Sequence, residues 1–542
     1  MEEKTGHDQY HDDSTSSLMA SFIIVCALLS WVLIHRWNQK NRVGPKTWPV
    51  IGAALEQLRN YHRMHDWLAD YLSKTRTITV QMPFNRATTY TADPANVEHI
   101  LRTNFPNYPK GAMYHSFMEV LLGDGIFNAD GEAWRKQRKT ASLEFASKNL
   151  REFSTTVFRE YAVKLALILS DASSSSTRVV LDGQDLFMRM TLDSICKVGF
   201  GVEIGTLLPE LPENGFARAF DAANAIVTLR FIDPLWRLKR LLRVGSEALL
   251  SESMRIIDDF TYAVIRRRKA EMLEEEEEEE KEDTPKRHDI LSRFMDQYLR
   301  EEGGEKGLRD VVLNFVIAGR DTTATTLSWF VYMLTLHPPV AERLHRELAD
   351  FEEREAKEKN VSLVSYHESD DENSTESRFR SRVSQFSQLL TYDTLGRMTY
   401  LHAAVNETLR LFPAVPQDPK GVLEDDVLPD GTRLKPGNMV TYVPYSMGRM
   451  DYIWGPDAAI FNPERWIRDG VLQNVSPFKF TAFQAGARIC LGKDSAYLQM
   501  KMTLALLCRF FVFALVPGHE VTYRMMTILS MAHGLKLTVS RR

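Results

Sequence analysis

The chain has 542 residues, of which 44% are hydrophobic and 26% charged, a balance that excludes disorder of the whole chain. Its net charge of -5 gives no basic bias toward nucleic acid. Four cysteines (Cys26, Cys196, Cys490 and Cys508) are too few for a disulfide scaffold and fit a reducing compartment.

Ser17 to Ile34 is a run of 18 uncharged residues, just long enough to span a bilayer as a helix. A cleaved signal peptide is the competing reading, but the segment before the run is acidic and no A-x-A site follows. His35, Arg36, Lys40, Arg42 and Lys46 come next, and an excess of Lys and Arg belongs on the cytosolic side. The sequence therefore predicts a lumenal N-terminus over 1–16, an anchor over 17–35 and a cytosolic body. Pro45 and Pro49 disfavour helix at the residues before them, so a basic, stiff hinge is expected over 36–52. Strand-like runs follow at Thr77 to Met82 and Thr88 to Tyr90, and again at Val427 to Val440 and Leu535 to Val539. Long helical patterns lie between them. The expected body, 53–542, is one mainly α domain with small β-sheets.

Trp134 and Arg138 are four apart and share a helical face. They offer an indole N–H and a planar donor fork that suits a carboxylate. Arg135, Lys136 and Lys139 lie on other faces, either as a basic patch for an acidic partner or as a solvated surface. Seven consecutive glutamates, Glu274 to Glu280, and a Ser, Glu, Asp and Arg-rich stretch further on predict flexible insertions near 271–287 and 352–387. Leu308 to Leu336 is a long helical pattern interrupted by Ala318-Gly319 and Asp321-Thr322-Thr323. Small residues there let a backbone approach a cofactor, and a threonine bonded to a carbonyl one turn back bends a helix and opens room for water. Taken alone, the same residues read as an ordinary polar turn.

Glu407 and Arg410, three apart on a helix, can join Arg465 in a buried ion network, since a buried charge needs partners. Taken alone, the pair is more commonly a surface salt bridge. The most distinctive segment is Phe483-Gln-Ala-Gly486-Ala-Arg488-Ile-Cys490-Leu-Gly492, followed by a helical pattern. Cys490 stands at a helix entrance, where N–H groups and the helix dipole favour a thiolate and lower its pKa. Gly486 and Gly492 permit close approach to a flat cofactor, and Arg488 can reach a negative group at its edge. Cys26, Cys196 and Cys508 sit in apolar or helical patterns and read as small hydrophobes.

The cysteine segment resembles the F-x-x-G-x-R-x-C-x-G signature of the cytochrome P-450 superfamily. Glu407-Thr-Leu-Arg410 resembles its E-x-x-R motif, Phe461-Asn-Pro463-Glu464-Arg465-Trp466 its F-x-P-E-R-F/W segment, Trp134 to Arg138 its W-x-x-x-R, and Ala318 to Thr323 its long-helix motif. All five occur in family order, from about residue 44 to the C-terminus. The resemblance implies the cytochrome P-450 fold behind one transmembrane helix. It also implies haem b with Cys490 as the iron's axial ligand, and Trp134, Arg138 and Arg488 at the haem propionates. Thr322 and Asp321 would deliver protons, and Glu407, Arg410 and Arg465 would lock the region behind the cysteine loop. Ala487 departs from the pattern, where relatives usually carry proline.

Longer stretches around Asn107 to Ala146 and Phe483 to Lys501 resemble plant long-chain fatty-acid ω-hydroxylases of the pollen-wall (sporopollenin) branch. The implied reaction is R–CH3 + O2 + NADPH + H+ giving R–CH2OH + NADP+ + H2O, at the endoplasmic reticulum membrane. No nicotinamide or flavin fingerprint is evident, so electrons are expected from a separate NADPH–cytochrome P-450 reductase. Substrate-wall candidates are Tyr114, Phe117 and Met118, with Val120, Leu121 and Leu122 beside them; Phe220, Ile226, Val227, Leu229 and Phe231; and Val415. Apolar stripes are more often core than pocket wall. Two other readings remain at this point: a lipid-hydroperoxide isomerase or dehydratase of the same fold, and a non-catalytic haem-binding membrane protein. Thr322 and a cysteine loop of ordinary length count against the first, and the complete oxygen-activation set counts against the second.

Overall fold

The helical periodicity in the middle of the chain becomes a set of long helices packed side by side: Lys148–Ser174, Gly183–Phe200, the run 304–336 and Lys493–Phe510. Their apolar stripes meet in one core that includes Leu165, Leu169, Leu186, Leu327, Phe330, Leu504 and Leu507. The computed structural model describes residues 8–39, 43–82, 86–174, 179–279, 289–298, 304–360, 362 and 372–542. Asp182 starts the helix Gly183–Phe200 by accepting from the N–H groups of Gln184 and Asp185. The same carboxylate accepts from the N–H of Leu535 at 3.0 Å. A Cβ on Gly534 would lie 2.0 Å from it, so the C-terminal sheet docks here only because residue 534 is glycine.

Among the described residues there are four small sheets, of which the two larger flank the helices. Thr77–Gln81, Ala87–Thr91, Met439–Tyr442 and Asp418–Gly421 form one, in that order. Ala87–Thr91 pairs in parallel with Met439–Tyr442, and the other pairings are antiparallel. Phe511–Leu515, Lys536–Arg541 and Leu181–Asp182 form the second. The strand-like run Val427 to Val440 is broken into three short strands. Pro429-Asp430-Gly431 makes a turn, with Gly431 at φ 86, so Asp426–Val427 and Arg433–Leu434 pair with each other and only Met439–Tyr442 joins the larger sheet.

The N-terminal segment is a helix from Asp8 to Trp37. Within it Ser17–Trp37, at mean hydropathy 2.5, is long and apolar enough to cross a membrane. Its large side chains, Phe22, Ile23, Leu29 and Leu33 among them, are exposed. The hinge is tied to the helix end: Thr47 N–H donates to Gln39 Oε1 at 2.8 Å, and the Arg36 guanidinium lies 4.9 Å from the Trp48 ring. Residues 1–7, together with Lys40 and Arg42, lie outside the described residues.

Both expected insertions are partly helical. Ser246–Glu279 is one helix, so most of the glutamate run is helical, and 280–288 lie outside the described residues. Glutamate is a good helix former, and this helix is already seated by Leu250, Met254, Ile257 and Val264 in a second core cluster. The stretch 352–387 is helical at both ends, in Pro338–Glu358 and Glu372–Leu389, with 361 and 363–371 outside the described residues. Phe379, Val383 and Phe386 are four and three apart and fully buried, and the two phenylalanines pack on Phe510. Polar composition hid that period.

Candidate active site

The cysteine loop is closed by its main chain. The Cys490 N–H donates to the Phe483 carbonyl at 2.9 Å, and Gln484 and Gly486 turn the chain at φ 57 and 63. A Cβ on Gly486 would lie 2.0 Å from the carbonyl oxygen of Leu101, so the glycine lets the loop seat on a neighbouring helix. Gly492 caps the helix Lys493–Phe510. Ala487 occupies the second position of the one-turn 3₁₀ helix Gly486–Arg488, where proline's fixed φ fits. Ala487→Pro should therefore stabilise the domain by about 0.5–1 kcal/mol by restricting the unfolded chain. Thermal unfolding checks this, and a lowered Tm would refute it.

Cys490 is exposed, yet burial by the surrounding protein pushes its thiol above the ordinary value. Both hold if the residue faces a cleft inside the domain. The Gly492 N–H and the charges of Arg138 and Lys493 pull the thiol down, but by less than burial raises it. The lowered thiol expected from the helix entrance is thus corrected: in the free protein, desolvation wins.

Cations collect beside this loop. Arg138 Nη2 donates to the Ile489 carbonyl at 2.7 Å, and Arg488 Nη2 donates to Asp130 Oδ1 at 2.7 Å and to the Ala129 carbonyl at 3.0 Å. The Arg488 guanidinium lies 4.5 Å from the Trp134 ring, and its buried Nε has no partner among the described residues. Two lysines that sequence reasoning missed stand close by. Lys110 and Lys420 both pair with Asp418, at 2.6 and 2.9 Å, and Tyr442 Oη donates to the same carboxylate at 2.7 Å. Burial, with Lys110 and Arg488 nearby, pushes Lys420 down to about 7. Three buried cations thus share Asp418 and the half-buried Asp130, and the cluster is short of negative charge. The missed signal was a strand signal: in Asp418–Gly421 residues two apart face inward together, which places Asp418 and Lys420 side by side.

Across the domain, the long helix changes pitch. Ile317–Asp321 is wound as a π-helical turn between Gly304–Val316 and Thr322–Leu336. Thr322 Oγ1 donates to the Ala318 carbonyl at 2.7 Å, the back-bond that the sequence anticipated. Gly319 again serves packing: a Cβ would lie 2.5 Å from Ile195 on the adjacent helix, so it faces away from the cavity that Ala318 lines. Asp321 is fully buried. One oxygen accepts from Arg320 at 2.6 Å, the other has no partner among the described residues, and burial lifts the carboxyl to about 6. Arg320 also approaches Asp221 at 3.5 Å, and Asp221 pairs with Arg524 at 2.7 Å, both partly exposed. A charged chain thus runs from Asp321 toward the surface.

Ala318 and Thr322 line a cavity of about 390 Å³ that also touches Gln484 of the cysteine loop. Tyr114, Phe117, Met118 and Val415 all line it, as do Leu121, Leu122 and Phe231. Val120, Phe220, Ile226, Val227 and Leu229 do not; Phe220, Ile226 and Val227 face a core cluster with Phe216 and Ala223 instead. Met525 to Ile528 also line the cavity, from a turn close to the C-terminus that carries no local mark of such a role.

Glu407 and Arg410 are fully buried and joined by two hydrogen bonds, at 2.8 and 2.7 Å. Arg465 reaches Glu407 at 3.4 Å, and Trp466 Nε1 and the Asn462 N–H also donate to it, at 2.9 and 2.8 Å. Arg410 donates to the carbonyls of Gly448, Ala458 and Ile460. The network thereby fastens chain 448–466, and Trp466 packs on Phe480, whose ring lies 4.8 Å away and three residues before Phe483.

A haem held through a thiolate needs a cysteine sulfur open to a cleft and cations for its two carboxylate arms. Cys490 meets the first requirement, and the positively biased group around Arg488, with its orphaned Nε, meets the second. Comparisons with known proteins give the family. The sequence profile of the Cytochrome P450 family matches residues 43–368 and 380–539. Cytochrome P450 704B1 of Arabidopsis thaliana is 65% identical over 96% of this chain and 99% of its own. Cytochrome P450 704C1 of Pinus taeda is 46% identical over 97% of each chain, and Cytochrome P450 86B1 of Arabidopsis thaliana 40% over 96% and 89%.

Proposed function

The chain belongs to the cytochrome P450 family and is a haem-dependent monooxygenase; from that premise we propose that it hydroxylates long-chain fatty acids at the terminal carbon. Electrons would come from NADPH through a separate reductase. The catalytic body would sit on the cytosolic face of the endoplasmic reticulum, held by Ser17–Trp37. The product would serve a lipid polymer such as sporopollenin of the pollen wall, as the sequence resemblance implies. The single observation behind the substrate is the cavity. Its volume of about 390 Å³ falls within the range of pockets that enclose small ligands, and its wall is largely apolar up to Ala318 and Thr322.

In this reading Cys490 binds the iron, while Trp134, Arg138 and Arg488 hold the carboxylate arms with Lys110 and Lys420 behind them. When bound, the haem supplies dioxygen activation, which a thiolate ligand favours. The protein's own residues handle the protons and the substrate. With its hydrogen given to Ala318, the Thr322 oxygen keeps lone pairs for a water in the cavity. Asp321 holds a proton up to about pH 6, and its second oxygen, which has no partner among the described residues, is free to carry it. The apolar wall excludes bulk water and aligns the chain. Exposed Arg135, Lys136 and Lys139 give the reductase a basic face on the same helix as Trp134 and Arg138.

The test is turnover of the full-length holoenzyme with reductase and C16–C18 acids, the carbon position being read by mass spectrometry. Terminal alcohols are expected, and oxidation only at in-chain carbons would refute the terminal assignment. Thr322→Ala should lower the yield of product per NADPH consumed, by about tenfold or more. The carboxyl of Asp321 is lifted, so its proton is bound below pH 6 and lost above it. Coupling should therefore fall as pH rises from 6 to 8, and Asp321→Asn should flatten that profile. An unchanged yield in Thr322→Ala would remove the hydroxyl from the mechanism.

A further inference from the structure

Methionine is the commonest residue in the cavity wall. Seven methionines line it, against three isoleucines, two leucines and one valine. The chain has 21 methionines, so a third of them stand at this one cavity. In the larger core cluster leucine is the commonest residue instead, so the enrichment belongs to the wall and not to buried apolar surface in general.

The seven come from five separate places in the chain: Met64, Met82, Met113 with Met118, Met439, and Met525 with Met526. Met64 and Met526 belong to the larger core cluster and Met118 and Met439 to the second, so methionines face the cavity from both cores. Met82, Met113 and Met525 are half-buried, and the other four are buried. A methionine side chain is unbranched and turns about three single bonds, so it fits gaps of different shape at little cost. Branched and aromatic side chains are stiffer, and a misfit against them costs strain. The stiff residues stand elsewhere in the wall. Ile317 and Ala318 precede Thr322 on the same helical run, and Thr322 is bonded back to Ala318. Phe117 packs on Phe231 and Trp236, with ring centroids 4.7 and 5.9 Å away. The cavity thus joins a yielding surface to a fixed one at Thr322.

We propose that the methionine wall decides which chain shapes this enzyme takes: it yields to the middle of an acyl chain, while Ile317 and Ala318 fix where the chain's end meets Thr322. Straight, cis-bent and mid-chain methyl-branched acids are then all admitted, and each is oxidised at the same end. The inference rests on the fatty-acid reading above and adds the residues that set its tolerance of shape. Met82, Met113 and Met525 make most of the adjustment, because of the seven they are the ones left partly uncovered.

The experiment uses the full-length holoenzyme in nanodiscs with reductase. It compares octadecanoic acid, its trans-9 and cis-9 monoenes and its 10-methyl derivative. The trans acid keeps the double bond without the bend, and so separates chain shape from contact between sulfur and the double bond. Affinity is read from the substrate-induced Soret shift and product position by mass spectrometry. Wild type should bind the trans and cis acids within about threefold of each other and oxidise both at the terminal carbon. In the triple variant Met82→Ile, Met113→Ile, Met525→Ile the trans-to-cis affinity ratio should rise about tenfold, with the methyl-branched acid following the cis acid. The corresponding leucine variant conserves volume and keeps the fold, and its ratio should rise about threefold. A wild-type enzyme that oxidises none of the four acids defeats the fatty-acid reading and this inference with it. A wild type that oxidises the straight acids, yet binds the cis acid about tenfold more weakly or oxidises it at another carbon, defeats this inference alone. Folded variants with an unchanged ratio also overturn it. So do variants that weaken all four acids equally, which would assign the methionines to packing.

Discussion

Cys490→Ala is expected to yield a folded protein that lacks the thiolate-type Soret band with carbon monoxide and whose hydroxylation falls to background. The two halves of that result have separate causes. The loop is held by groups other than the sulfur: the Cys490 N–H on Phe483, Arg488 on Asp130 and Ala129, and Gly486 against Leu101. Trimming an exposed side chain that carries no such bond should change stability by less than about 0.5 kcal/mol. The chemistry, on the proposed ligand assignment, depends on the sulfur. Burial holds the free thiol in its protonated form, and a bound metal is what would deprotonate it outright. Circular dichroism, thermal unfolding and the reduced carbon monoxide spectrum read both halves. A thiolate-type band in the variant would end the ligand assignment, and an unfolded variant would end the account of the loop.

The second large effect is on the fold. Glu407→Gln should cost about 3–5 kcal/mol, because it strands Arg410 as a fully buried cation facing carbonyls alone. That is a large share of the roughly 5–15 kcal/mol that separates folded from unfolded domains. The expected outcome is little soluble protein and a Tm too low for haem to be retained. Arg465→Ala should do far less, about 1 kcal/mol. Its side chain is nearer the surface, and its second partner, Asp457, is largely solvated. Soluble yield and thermal unfolding of the pair of variants check the ranking. A Glu407→Gln protein as stable as the parent would show that Arg410 is neutralised by something other than this carboxylate.

Much of this site was visible in the residues because its rules are local. A glutamate and an arginine three apart, a threonine four after an alanine, and a cysteine before a helix each state their geometry in the spacing. What failed was direction and distance. Gly319 was read as making room for a cofactor, yet it makes room for Ile195, and no local pattern says which way a missing Cβ would have pointed. Lys110 and Lys420 lie 310 positions apart in sequence and meet only through Asp418 once the sheet has formed. The thiol of Cys490 was judged by its helix entrance, whereas the crowding that outweighs it comes from the rest of the domain. The helix Glu372–Leu389 was hidden for the opposite reason: its signal was local, but the polar majority masked buried residues such as Phe379, Val383 and Phe386.

The parallel pairing of Ala87–Thr91 with Met439–Tyr442 has a consequence for how the protein is made. Ala87 and its partner region at Asn438 are 351 residues apart. At about 5–20 residues per second, ribosomes need roughly 20–70 s to deliver the second strand after the first. For that interval the hairpin Thr77–Gln81 and Ala87–Thr91 waits with an open edge of the kind that other chains can join. Expression at low temperature or with slowed initiation should therefore raise the folded fraction more than any change to the finished active site, because the vulnerable stage is the nascent chain.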